Sequence, residues 1–162
     1  MDLDFEQGIS KARDAASSGN TEEAFSIANS LVQQFPSEIR AWIARAHAQA
    51  RMGNDEAAVS DISSAIKINQ VEPDLFFNRG RFRMRTADIL GAIDDFTKGL
   101  ELCDFHNNNY YRETLLFMRA EALARLGRTS EALADLAHVR DDFKIYTTRL
   151  RSKADIVADC HQ

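Results

Sequence analysis

The sequence predicts an all-α fold, an α-solenoid of four helix-turn-helix units followed by a C-terminal capping helix. The first observation is a repeat, since alanines recur at nearly even intervals: Ala24, Ala58, Ala92 and Ala132. The second is composition, because a chain of 162 residues with only 7 glycines and 2 prolines has few helix breakers. A helix pair as short as one such repeat cannot bury its apolar face alone, so neighbouring pairs must stack.

Turn residues repeat at the same period. The fifteenth residue of a unit lies where its first helix must end, and it is Gly19, Gly53 and Gly127 in three units. Glycine adopts the left-handed conformation of a helix C-cap without steric cost. Ala87 takes this place in the third unit, so that turn departs from the pattern. The predicted units span about 5–38, 39–72, 73–106 and 113–146, with a capping helix at about 147–160, all within one domain over 1–162.

These registers resemble the tetratricopeptide repeat family over nearly the whole chain. The second unit carries the family's aromatic, small and turn residues: Trp42, Ala46, Gly53, Ala58 and Ala65. The resemblance implies a scaffold for protein–protein interaction that binds its partner in a concave groove. Members that hold the C-terminal carboxylate of heat-shock chaperones use a set of Lys, Asn and Arg side chains, and only Asn78 agrees with that set. A co-chaperone of that type is therefore not expected.

A charge pattern predicts contacts within the units. The seventh residue of each unit is basic, and in the last three units an aspartate follows it at a constant separation along the chain. In a helix hairpin this separation places the two side chains opposite one another. The expected ion pairs are Arg45–Asp61, Arg79–Asp95 and Arg119–Asp135. We expect them to set the register of each hairpin more than its stability, because desolvation offsets the attraction of buried charges.

The resemblance places a stripe of first-helix residues in the groove, at helical spacing. The fifth residue of every unit is apolar, and the ninth and thirteenth residues of the four units include five arginines. The expected partner-binding residues are Ile9, Arg13, Ile43, His47, Arg51, Phe77, Asn78, Arg81, Arg85, Phe117, Glu121 and Arg125. Many acidic residues lie instead on turns and second helices, which predicts a cationic groove for a partner with acidic and apolar residues. The alternative is that these arginines only solubilise an exposed helix face.

Other classes of function find little support. The formal net charge is −5 and the pI is about 5.4, whereas nucleic-acid-binding domains are usually strongly basic. We find no phosphate-binding glycine loop and no Ser/His/Asp or Cys/His set, so no enzyme activity, cofactor or metal site is expected. No apolar run approaches the roughly 18 residues that span a bilayer. Two lone cysteines without a disulfide framework favour a cytoplasmic protein.

Two segments fall outside the regular repeat. Extra residues around 105–112 predict a loop or a helix extension, whose Tyr110 and Tyr111 either contact a partner or pack back on the scaffold. After Lys144 the pattern starts once more, and Leu150, Ala154 and Val157 are expected to cover the fourth unit from the capping helix.

The sequence leaves several functions open. The leading hypothesis is a non-enzymatic adaptor that binds one protein partner in the groove. Small acidic repeat proteins of this size also resemble secretion chaperones of bacterial type III systems, which hold a partner segment in the same groove. An immunity or inhibitor protein for a cognate toxin, and a structural protein that forms homodimers, are further alternatives.

Overall fold

The computed structural model describes residues 4–106, 110–146 and 150–161. Within them the chain divides into two compact parts, hereafter the first unit, Met1–Gln70, and the second unit, Val71–Gln162. The four helix pairs predicted from the sequence are called repeats from here on. The predicted all-α class is confirmed, because helices make up most of both units. That one domain spans the whole chain stays a prediction.

The first unit is a stack of four helices. They are α1 Phe5–Ser17, α2 Thr21–Gln34, α3 Ile39–Arg51 and α4 Asp55–Ile68. Consecutive helices pack against each other, and α1 also contacts α3. The contacts are lined by small side chains, since Ala24, Ala28, Ala46, Ala58 and Ala65 are all buried. The recurring alanines therefore lie buried where the helices pack together.

The second unit contains an extended apolar cluster. Its elements are α5 Pro73–Arg85, α6 Ile89–His106, α7 Arg112–Arg125, α8 Thr129–Leu136, β1 Lys144–Tyr146, β2 Leu150–Ser152 and α9 Lys153–Asp159. Phe96, Leu115, Leu136 and Ile156 are fully buried in this core. At Gly80 a Cβ atom would lie 2.5 Å from the Phe96 ring, so only glycine lets α5 approach α6 this closely.

The three turn glycines adopt the left-handed conformation that their spacing predicts. The φ angles are 83° at Gly19, 84° at Gly53 and 70° at Gly127. Ala87 has the same conformation with a φ of 63°, although its Cβ makes it unfavourable. The third turn therefore departs from the pattern in residue type but not in backbone geometry.

All three expected ion pairs form. The shortest N–O distances are 2.7 Å for Arg45–Asp61, 2.6 Å for Arg79–Asp95 and 2.7 Å for Arg119–Asp135. Each aspartate is buried, so its carboxylate is held away from water by the arginine of the preceding helix.

Two of these arginines also bind a third helix. Arg45 of α3 donates from Nη1 to Oδ1 of Asn29 in α2 at 2.8 Å. Arg119 of α7 donates from Nη1 to Oγ1 of Thr97 in α6 at 3.1 Å. Each guanidinium thus joins its own hairpin to the hairpin before it.

The insertion near residue 105 partly lengthens a helix. α6 continues to His106, and α7 begins at Arg112, whose guanidinium pairs with Asp104. Phe105 is exposed at the end of α6. The structure thus shows the helix extension that was one of the two expectations, while residues 107–109 of the insertion lie outside the described part of the chain.

The C-terminal segment differs from the predicted capping helix. β1 and β2 pair as an antiparallel hairpin, and α9 begins only at Lys153. A capping box sets this start, because the Ser152 hydroxyl accepts from the Asp155 backbone N–H while the Asp155 carboxylate accepts from the Ser152 backbone N–H.

The covering side chains differ as well. Ile156 is fully buried and Val157 packs against the core, as expected for Val157. Leu150 is instead 59% exposed in β2, and Ala154 is exposed on α9. The prediction was wrong for Leu150 because α9 starts only at Lys153, and it was wrong for Ala154 because α9 exposes this residue. Residues 147–149 of the predicted helix lie outside the described part of the chain.

Candidate functional site

In the first unit, the first-helix stripe lines a groove between α1 and α3 of about 290 Å³. Its apolar floor is formed by Ile9, Ala12, Ala16, Ile43, Ala44 and Ala48. Ile9 is itself almost fully buried, whereas Ile43 is half-buried. The structure therefore brings together the apolar pair predicted for this unit, with Ile43 the more accessible of the two.

Cationic side chains and a histidine surround this floor. Arg13, His47 and Arg51 are exposed and line the groove, as does Arg40, which was not predicted. Arg51 donates from Nη1 to the Ala16 carbonyl oxygen at 3.1 Å, near the C-terminal end of α1. A cation is favourable there because the last carbonyl groups of a helix lack partners within it.

Arg40 is held by a carboxylate. Its Nη1 and Nη2 atoms donate to the two Glu6 carboxylate oxygens at 2.6 and 2.9 Å. This bond lowers the pKa of Glu6. Arg40 thus contributes less uncompensated charge to the groove than its position suggests.

In the second unit, α5 presents Phe77 and Arg81 on one face. The Arg81 guanidinium carbon lies 5.3 Å from the centre of the Phe77 ring, within the range of a cation–π contact. Burial lowers the pKa of Arg81, and the nearby Arg85 lowers it further. Because both effects disfavour the charged form of Arg81, an anion bound beside its guanidinium would stabilise that form.

Asn78 bonds within its own helix. It is buried, and its Nδ2 donates to the backbone oxygen of Asp74 one turn earlier at 2.8 Å. Because the side chain is buried and bonded to its own helix, Asn78 is not placed as the exposed partner contact that was predicted.

The α7 residues of the stripe are covered by the C-terminal segment. Phe117 is fully buried, with its ring centre 5.1 Å from that of Phe143. Glu121 is also buried, between Nη2 of Arg125 at 2.9 Å and Nε of Arg151 at 3.6 Å. Phe117 and Glu121 are therefore core residues and not the groove contacts that were predicted. The guanidinium of Arg125 forms an ion pair with the Glu121 carboxylate.

A second cleft of about 470 Å³ opens between α5, the start of α7 and β1. Its apolar lining comes from Phe77, Tyr110, Tyr111, Phe143, Ile145 and Tyr146. Only Phe77 among these was expected at a site; Tyr110 and Tyr111 were left between two alternatives. Tyr110 is 80% exposed, while Tyr111 packs on Phe77 with ring centres 6.2 Å apart. Tyr111 thus packs back on the scaffold, and the exposed ring of Tyr110 lies 4.9 Å from that of Tyr111; contact of either tyrosine with a partner stays a prediction.

Sequence reasoning missed Phe143, Ile145 and Tyr146 because it extended the helical repeat through them. The signal that could have found them is the Ser152–Asp155 capping box, which marks a helix start and leaves the preceding residues outside the helix.

The described residues offer neither a metal cluster nor a membrane span. In that part of the chain, no group of three or more His, Cys, Asp or Glu side chains could hold a metal ion. None of the helices described there combines the length and apolar character needed to cross a membrane.

Comparisons with known proteins identify the repeat. Residues 39–71 match the model of the tetratricopeptide repeat. A search of the curated proteins finds no match to the chain.

Solved structures extend the likeness beyond that repeat. A thermophilic tetratricopeptide repeat protein of Thermus thermophilus is 22% identical, with a TM-score of 0.70 over 83% of this chain and 72% of that one. The TPR2B domain of yeast Sti1, in its complex with pHsp70, is 13% identical, with a TM-score of 0.71 over 75% and 97%.

The type III secretion chaperone SycD of Yersinia enterocolitica, in complex with a peptide of the translocator YopD, is 18% identical. Its TM-score is 0.68 over 75% of this chain and 94% of that one. At these identities the likeness shows the fold. The resemblance seen in the sequence is confirmed for residues 39–71, which match a tetratricopeptide repeat, and the chain shares its fold with solved tetratricopeptide repeat proteins.

Proposed function

We propose that this protein is a non-enzymatic, cytoplasmic scaffold that binds an acidic and apolar segment of a partner protein on its first-helix faces. The observation that carries the proposal is the groove of the first unit, where Ile43 lies on an apolar floor beside Arg13, His47 and Arg51. Peptide sites combine an apolar surface with a few polar groups that fix orientation. In the second unit, Arg81 and Arg85 of α5 provide positive charge of their own, whereas Arg125 of α7 is paired with Glu121.

Two of the similar structures support a peptide ligand. The Sti1 domain is seen in complex with pHsp70, and SycD is seen with a peptide of YopD. Both share this fold, and the groove of the first unit has the lining of apolar and polar side chains that ligand sites combine.

The test starts from capture of the partner in the native host, followed by kinetics on the immobilised full chain at several salt concentrations. Exposed charges act mainly on association, so Arg13→Gln with Arg51→Gln should slow association, flatten its salt dependence and weaken binding by about tenfold. The matched control is Arg128→Gln, which removes an exposed arginine that pairs with Glu131 at 2.6 Å outside both clefts. Equal loss in the control, or binding unchanged in the folded double variant, contradicts the proposal.

The class of the captured partner distinguishes the forms of this function. An effector or translocator segment indicates a secretion chaperone, which the likeness to SycD over 94% of its length favours as the second candidate. A toxin indicates an immunity protein, and any other single partner indicates an adaptor. Light scattering of the purified chain tests homodimer formation.

A further inference from the structure

The cleft of the second unit has three walls of different origin. Phe77 and Arg81 come from α5, Tyr110 and Tyr111 come from the insertion, and Phe143 with β1 comes from the C-terminal segment. The last two walls lie outside the regular helix pairs of the repeat. The cleft is therefore a feature of this chain and not of the repeat alone.

A cation in this cleft lacks an anionic partner among the described residues. Arg81 stacks on Phe77, but within residues 4–106, 110–146 and 150–161 no carboxylate pairs with it. Glu113 also lines the cleft, yet both of its carboxylate oxygens accept from Nε of Arg140, at 3.0 and 3.1 Å. Arg85 adds further positive charge near Arg81. The cleft thus has a half-buried guanidinium whose complement is a carboxylate from outside.

Aromatic surface stands exposed at the entrance. Tyr110 is 80% exposed and Tyr146 is 71% exposed, and both line the cleft. Aromatic side chains combine large apolar area with low conformational entropy, and they are enriched where proteins bind peptides and proteins. Behind them, Tyr111, Phe143 and Ile145 provide a partly buried apolar surface.

We infer that this cleft binds an extended peptide segment of the partner in which an acidic residue adjoins a large apolar residue. The carboxylate binds the Arg81 guanidinium, and the apolar side chain packs between Tyr111 and the Phe143–Tyr146 wall. This inference rests on the proposed scaffold function, and it locates a contact that the groove of the first unit does not supply.

The test is a selection of random dodecapeptides displayed on phage against the full chain. The enriched peptides are then synthesised and titrated against variants by fluorescence polarisation. We expect an Asp or Glu beside a Phe, Trp, Leu or Met in the enriched set. Arg81→Gln should weaken these peptides by about tenfold, and Tyr146→Ala by about fivefold. Lys98→Gln, an exposed change on α6 at a lysine that pairs with Glu101 at 3.0 Å, should have no effect.

A peptide control tests the charge directly. Replacing the acidic residue of an enriched peptide by its amide should cost as much as Arg81→Gln, and the two changes together should cost little more than either alone. Additive losses would show that the carboxylate binds elsewhere and would overturn the inference.

Failure of the inference and failure of the proposed function give different results. If the peptides bind Arg81→Gln and Tyr146→Ala as tightly as the parent but lose binding to the variant with Arg13→Gln and Arg51→Gln, the inference is overturned. The proposed function then still holds. Peptides insensitive to both sets, or no enrichment at all, overturn both. Thermal melts establish that each variant is folded before it is scored.

Discussion

Helix α3 of the first unit and helix α7 of the second unit are both first helices of a repeat, but their equivalent residues differ in burial. In the first unit, Ile43 and His47 occupy the fifth and ninth positions of a repeat and line an open groove. In the second unit, Phe117 and Glu121 occupy the same positions of the last repeat and are buried under the C-terminal segment. A repeat position therefore predicts where a residue lies on a helix, but not whether a partner can reach it.

The difference arises from the C-terminal segment of the second unit. The hairpin formed by β1 and β2 brings Phe143 onto Phe117, and Arg151 onto Glu121. Phe143 and Arg151 of this chain thus cover the positions that would be open to a ligand in an uncovered repeat. The same stripe of residues serves as binding surface in one unit and as core in the other.

The largest expected effect separates two phenylalanines at the same repeat position. Phe117→Ala removes a fully buried ring and should lower the free energy of unfolding by about 3–5 kcal/mol. Phe77→Ala removes a half-buried ring and should cost about 1–2 kcal/mol, because part of its surface is already in water. Urea unfolding followed by circular dichroism measures both. Equal costs would mean that Phe117 is not covered in solution.

A smaller effect is expected from the buried charge beneath the hairpin. Arg151→Leu leaves the Glu121 carboxylate buried with Arg125 as its remaining partner, which should cost about 3 kcal/mol. Arg128→Leu, which breaks an exposed pair, should cost less than about 1 kcal/mol. The same urea titrations compare the two variants.

A double variant isolates the charge from the packing. Replacing Glu121 and Arg151 together by leucine should recover most of the loss, because no uncompensated charge of this pair then stays buried. If the double variant is no more stable than Arg151→Leu alone, the loss comes from packing or from the ion pair of Arg151 with Asp159, and the buried charge of Glu121 contributes little.

The features that depend on local spacing could be predicted from the sequence. The constant separation of arginine and aspartate was enough for Arg45–Asp61, since a helix hairpin brings these positions together whatever surrounds it. The burial of Phe117 could not be predicted this way. It depends on a contact with Phe143, which is distant in sequence and lies in a segment whose residues only partly match the repeat.

The candidate binding surfaces also differ in whether local spacing predicted them. The groove of the first unit was predicted because both of its walls are regular repeats, whereas the aromatic cleft of the second unit needs β1, which no periodicity indicated. Asn78 shows a further limit, because a residue type that matches a family position can still bind its own backbone.

The smallest expected effect compares the turns of the two units. Ala87→Gly relieves a left-handed alanine and should raise the free energy of unfolding by about 1 kcal/mol. Gly53→Ala places an alanine in the matching turn of the first unit, where the new Cβ meets no atom within 4 Å beyond its chain neighbours, and should lower stability by a similar amount. Opposite shifts of the thermal midpoint are expected, and shifts of the same sign would contradict the turn geometry.

The arginines that reach three helices have a consequence for how each unit unfolds. If the α1–α2 hairpin detached alone, Arg45 would lose Asn29 and the α3 helix would lose its packing on α2. A half-open form of the first unit is therefore costly, and hydrogen exchange of α2 and α3 should report one shared opening energy. Arg119 links α6, α7 and α8 in the same way. We therefore expect Arg45 and Arg119 to couple the unfolding of the two repeats that each of them joins.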